Sequence, residues 1–123
     1  MAKILGCLKK RDLLHNPQVG KGELSRYGQE YLQQDRLADA LDFFEKAEDT
    51  EGIRQVRDRS IEAGDPFLLQ LSGKLLKEKP AEEVWRRVGT KALAEGRLRQ
   101  ALIAFQTVPD EKKIQEIQGQ LIK

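Results

Sequence analysis

The stretches YGQEYLQQDRLADALDFFEKAEDTEGIRQVRDRSI, residues 27–61, and VGTKALAEGRLRQALIAFQTVPDEKKIQEIQGQLI, residues 88–122, align without a gap at an offset of 61. Ten of their 35 positions are identical: Gly28/Gly89, Leu32/Leu93, Arg36/Arg97, Leu37/Leu98, Ala40/Ala101, Leu41/Leu102, Phe44/Phe105, Asp49/Asp110, Ile53/Ile114 and Ile61/Ile122. Average composition predicts roughly two. A fixed internal offset marks a repeated supersecondary unit.

The identities fall where two packed helices need them. Leu37, Ala40, Leu41, Phe44 and Ala47 recur at steps of three and four and form one apolar stripe, which Leu98, Ala101, Leu102, Phe105 and Val108 repeat. A second helical pattern precedes each stripe, Leu24–Gln34 and Ala81–Glu95. The joints Asp35-Arg36 and Gly96-Arg97 suit a sharp turn, because Gly tolerates positive φ and Asp caps helix starts. Each block therefore reads as an antiparallel helix pair.

Outside the pairs the helical period continues. Gly52–Ala63 places Ile53, Val56 and Ile61 inward, and Asp110–Ile122 does the same with Ile114, Ile117 and Leu121. Gly64-Asp65-Pro66 supplies a stop, a cap and a first-turn proline, and opens a helix over Pro66–Glu78 with Leu68, Leu69, Leu71, Leu75 and Leu76. Ala2–Leu14 is its weaker counterpart, and Asn16–Gly22 is a loop. The expectation is an all-α fold of stacked antiparallel helix pairs, about eight helices in two copies of a 61-residue unit. Those copies span approximately 1–63 and 64–123 of a single helical repeat domain covering 1–123. One unit cannot cover its own apolar stripe, so stacking into a short superhelix is required.

Composition narrows the functional classes. The 22 Lys and Arg nearly cancel the 20 Asp and Glu, so no uniform field marks a nucleic-acid or membrane partner. Cys7 is the only cysteine, which excludes an internal disulfide framework and a multi-thiolate zinc site and points to a reducing, cytoplasmic setting. Ile4-Leu5-Gly6-Cys7 looks like a lipoprotein cleavage site, but the apolar stretch before it is too short. No apolar run approaches the roughly 20 residues that span a bilayer.

At these positions the chain resembles the tetratricopeptide repeat (TPR), a helix-turn-helix marked by Trp, Leu, Gly and Tyr, then Ala, Phe and Ala. Leu24, Tyr27, Gly28 and Tyr31 precede Ala40, Phe44 and Ala47 in the first copy; Trp85, Val88, Gly89 and Ala92 precede Ala101, Phe105 and Val108 in the second. The 61-residue spacing and the unmarked segment Gly52–Glu78 depart from the family pattern, and the phrase Tyr31–Asp49 is also similar to α-solenoid repeats of coat-type scaffold proteins.

The resemblance implies a protein–protein interaction or adaptor module, receiving a peptide or helix of a partner protein in the solenoid groove, with no catalysis and no cofactor. In the first helix of each pair, Leu24, Gly28 and Tyr31 set the buried direction, and the 100° step turns Arg26, Gln29 and Gln33 roughly oppositely. The same geometry selects Arg86, Arg87 and Thr90 in the second copy. Family members commonly bind on this helix through a clamp of Lys, Arg and Asn that grips a carboxylate. Here Arg26, Arg86 and Arg87 supply charge while Gln29 and Thr90 stand in one asparagine place, so the expected ligand is an acidic or polar segment.

The alternative is a basic helical protein binding RNA or DNA through Lys9-Lys10-Arg11, Arg54-Arg57-Arg59, Arg86-Arg87 with Lys91, and Arg97-Arg99. Acidic residues interleave with most of these, and few aromatics are left for stacking. His15 reads as a helix-end cation, Cys7 as a buried inert thiol, and Gly20-Lys21-Gly22 lacks phosphate-loop spacing. One His and one Cys are too few for the usual metal sites. The apolar stripe ending at Leu121-Ile122 has no polar capping helix after it, which implies either folding back or self-association, the latter as a homodimer through the C-terminal helix.

Overall fold

The computed structural model describes residues 7–122, with side chains from Lys10 to Leu121. Among them are eight helices and no strand: α1 (Cys7–His15), α2 (Lys21–Gln33), α3 (Leu37–Ala47), α4 (Thr50–Ala63), α5 (Pro66–Leu76), α6 (Glu82–Ala94), α7 (Leu98–Thr107) and α8 (Glu111–Ile122). The all-α expectation holds, with most helix ends displaced by a residue or two. Two compact units divide the chain, Met1–Val56 and Arg57–Lys123, so the boundary falls inside α4. The Cys7 thiol lies outside the described side chains.

In the first unit α2 folds back on α3 through Gln34, Asp35 and Arg36. The Leu32 carbonyl accepts from Asp35 N at 3.0 Å and the Tyr31 carbonyl from Arg36 N at 3.0 Å, the bond pair of a Schellman stop. Asp35 does not cap α3 as the sequence suggests; it takes the left-handed conformation itself, at φ 59°. Gly96 occupies the equivalent place in the second unit at φ 76°, with Leu93 and Ala92 carbonyls accepting from Gly96 N and Arg97 N at 3.0 and 2.9 Å. The same offset recurs at the next joint: the Asp49 and Asp110 side chains accept from Gly52 N and Lys113 N at 3.0 and 3.2 Å.

Packing explains the shared residues. Gly28 and Gly52 both face the Phe44 ring, and a Cβ on Gly28 would come within 2.5 Å of it. Gly89 faces Phe105 in the same way, at 2.7 Å. The unshared residues exchange size. Where the first unit has Leu24, Tyr31 and Phe43, the second has Trp85, Ala92 and Ala104. Tyr31 stacks on Phe43 at 5.5 Å and Tyr27 tilts against it at 5.6 Å, whereas Trp85 packs in one cluster with Ala104, Leu69, Val88 and Val108. Three rings fill the first unit's layer, and one larger ring beside Ala104 fills the second's, as dense packing demands.

The second unit is seated by the α4–α5 corner. Gly64, at φ 70°, leaves no room for a Cβ beside the Lys91 side chain and Ala92 N, while Arg97 donates to the Ala63 and Gly64 carbonyls at 2.6 and 3.0 Å. A cation there offsets the negative end of α4. Asp65 then accepts from Phe67 N and Leu68 N, at 3.0 and 3.1 Å, with Pro66 in the first turn.

Two expectations change on burial. On α5 the inward face is Pro66, Leu69, Ser72 and Gly73, which leaves Leu71 and Phe67 half-exposed. The Ser72 hydroxyl is satisfied within its own helix, donating to the Leu68 carbonyl at 2.7 Å. On α8, Ile117 is fully buried and Ile114 packs partly against the Ala92–Phe105 cluster. Among the described residues of that stripe Leu121 is 40% exposed, while Ile114 and Ile117 fold back onto their own unit; the Ile122 side chain lies outside the described residues.

Candidate functional site

The predicted binding residues do not all converge. On α2, Arg26 is exposed, lies 3.5 Å from Glu23 and sets its guanidinium 5.5 Å from the Tyr27 ring centre. Gln29 is half-buried because its amide donates to the Gln55 side chain of α4 at 2.8 Å, and Gln33 is exposed. Gln29 thus serves an internal bond, leaving Arg26 as the cation of that face.

On α6 the structure separates Arg86 from Arg87. Arg87 and Thr90 line an open depression of about 500 Å³ together with Ile61, Glu62, Lys91 and Ala94. Arg86 lies outside it and approaches Glu82 at 3.4 Å, one turn back. Consecutive helical residues diverge by about 100°, so the pair cannot serve one pocket equally. At the 61-residue offset it is Arg87 and Thr90, not Arg86, that correspond to Arg26 and Gln29.

A larger feature escaped the sequence reading. Where the end of α5 and the start of α6 meet the end of α7, a groove of about 630 Å³ is lined by Lys74, Lys77, Lys79, Pro80, Trp85 and Val108, among others. The signal that could have revealed it is the run Lys74–Pro80, basic at three positions, followed by the only tryptophan. The interleaved Glu78 masks it from a search for consecutive basic residues.

The remaining charged groups are mostly paired. Arg57 meets Asp58 and Glu78 at 3.1 and 2.8 Å, and Lys91 and Arg97 both hold Glu95, keeping its carboxyl below the usual range chiefly through the Arg97 hydrogen bond. Lys21 does the same for Glu48, at 2.7 Å. His15 ends α1 as an exposed residue. Among the described residues no three His, Cys, Asp or Glu side chains are grouped as a metal ion requires, and no helix is long and apolar enough to cross a membrane.

Lys10 joins a four-residue ion cluster, reaching Asp39 and Asp42 at 2.7 Å each, with Arg36 also 2.7 Å from Asp39. Burial draws the Lys10 ammonium down, but hydrogen bonds to the two carboxylates and their charge outweigh it, leaving its pKa above the ordinary 10.5. A raised lysine pKa stabilises the fold fully below the unfolded value and loses that contribution as pH climbs through the folded one. Lys10→Met is therefore expected to cost up to ~1 kcal/mol near neutral pH, as for solvent-screened ion pairs, a difference that shrinks as pH rises through the folded value. Parallel urea titrations of both proteins test this, and a difference that grows with alkalinity contradicts it.

No family model, curated protein or solved structure matches this chain.

Proposed function

We propose that this chain is a protein-interaction module of TPR-like character, binding a polar or acidic segment of a partner protein along the outward face of the first helix of each pair. The observation that carries this reading is Arg87: it stands at the edge of the α6 depression beside Thr90, with no ion pair to any described residue. Ile61 and Ala94 supply apolar surface beside that charge, the combination that peptide grooves use. A reducing, cytoplasmic setting fits the single cysteine. Self-association through the end of α8, where Leu121 is exposed, is removed by a monomer in sedimentation at high concentration.

The nucleic-acid alternative draws less support from the geometry. Its basic clusters are largely answered within the chain, Lys10 by Asp39 and Asp42, Arg57 by Glu78, Arg86 by Glu82 and Arg97 by Glu95. Salt titration separates the two, because displaced phosphate counterions give a steep dependence of affinity on salt.

The test is charge reversal on α6 in a binding titration against a partner recovered by crosslinking. Arg87→Glu is expected to weaken binding ~10-fold and Arg86→Glu much less, with unfolding free energies within ~0.5 kcal/mol of wild type, as for surface changes generally. Unchanged binding in the double variant removes the α6 face from consideration.

A further inference from the structure

The α5–α6 groove combines features that the α6 depression lacks. Its apolar floor is Trp85, Pro80 and Val108, and its rim carries Lys74, Lys77 and Lys79. None of these lysines has an ion pair among the described residues, whereas both rim carboxylates are engaged, Glu78 by Arg57 at 2.8 Å and Glu82 by Arg86 at 3.4 Å. The negative end of α5 accounts for a lysine in its last turn; it does not account for Lys79 in the following connection or for the apolar floor between the cations. The groove is also built in advance. A Cβ on Gly73 would lie 2.9 Å from the Glu78 carbonyl oxygen, so the turn that forms one wall is closed tightly.

The apolar surface continues beyond the groove. Phe67 and Leu71 are 51% and 50% exposed. The helical step places both within about 60° of Lys74 around α5, so they form a stripe leading to the basic rim. An apolar track ending in unpaired cations matches a segment with the reverse pattern, apolar side chains followed by carboxylates.

We infer that this groove docks an acidic amphipathic segment of a partner protein, one apolar side chain entering over Trp85 and Val108 while carboxylates meet Lys74, Lys77 and Lys79. The inference rests on the interaction-module reading and adds a second contact surface, on another face of the unit. A nucleic acid is the poorer fit, since single strands stack successive bases on several rings and Trp85 is the one aromatic residue lining the groove.

Trp85 is the only tryptophan, so its emission reports on the groove directly in the full chain. The probes are two pools of short Trp-free peptides, one rich in Asp, Glu, Leu and Phe, the other with Lys replacing every acidic residue. The acidic pool is expected to shift Trp85 emission saturably and the basic pool not to. Lys74→Glu, Lys77→Glu and Lys79→Glu combined should weaken that titration ~10-fold. Lys79→Glu alone lies outside any helix and tests the same rim where the triple variant folds poorly.

Equal response to both pools, no response at millimolar acidic peptide, or unaltered affinity in the Lys79→Glu and triple variants overturns the inference. A stronger response to single-stranded RNA assigns the groove to nucleic acid instead. A shift that tracks protein concentration without peptide assigns it to a second copy of the chain. If Arg87→Glu abolishes partner binding while the lysine variants do not, only the groove fails; if neither matters, the module reading fails with it.

Discussion

Phe44→Ala is expected to destabilise the protein by ~3–5 kcal/mol, and Phe105→Ala by less within the same range. Both rings are buried. They differ in what surrounds them. Phe44 rests on Gly28 of α2 and Gly52 of α4, and neither has a side chain that can move into the vacated space. Phe105 rests on Gly89, and the residue that corresponds to Gly52 is Lys113, which carries the aliphatic stem that a glycine lacks. The cost of truncation rises with the volume left empty, so the ring between two glycines should cost more. Urea unfolding followed by circular dichroism decides it, and a Phe44→Ala cost below ~1 kcal/mol contradicts the packing described.

The second large effect is one of sign. Replacing glycine by alanine inside a helix usually stabilises by ~0.5–1 kcal/mol. Gly119→Ala in α8 should follow that rule, because a Cβ there meets nothing within 4 Å. Gly52→Ala should do the opposite, since its Cβ would enter the space of the Phe44 ring, and overpacking of a filled core costs ~1–3 kcal/mol. Trimming the ring should relieve the clash. The Gly52→Ala, Phe44→Leu double variant is expected to be more stable than the two single costs predict by ~1 kcal/mol. Additive behaviour shows that Gly52 and Phe44 are not in contact.

The elements most legible in the sequence are those whose causes are local. The α3 and α7 stripes follow from the 3.6-residue period, and Gly64-Asp65-Pro66 is a stop, cap and first turn formed by groups within a few residues of one another. The Phe–Gly contacts are nearly as legible, because the alignment at 61 residues retains both partners. Phe43 is harder to read. It stands beside Phe44 off the shared stripe, yet it is fully buried because Tyr27 and Tyr31 of the preceding helix lie against it.

For the candidate sites the sequence placed Arg87 and Thr90 on an outward face, and the structure puts them in one depression. Arg86, adjacent in sequence, falls on another face, and Gln29 is drawn into a bond with Gln55 of α4. A helical wheel describes one helix and carries no information about which neighbour occupies each direction.

Hydrogen bonds and apolar periods within a few residues settle the all-helical class and the approximate position of each helix, which is why both are legible in the sequence. Tertiary structure decided which leucines of α5 face inward, since that helix is apolar on several sides and its neighbours select the buried one. It also decided the lysine-rimmed groove, whose walls come from residues as far apart as Lys74 and Val108. Surfaces shared by separate helices depend on how those helices pack, and local periodicity does not encode that arrangement.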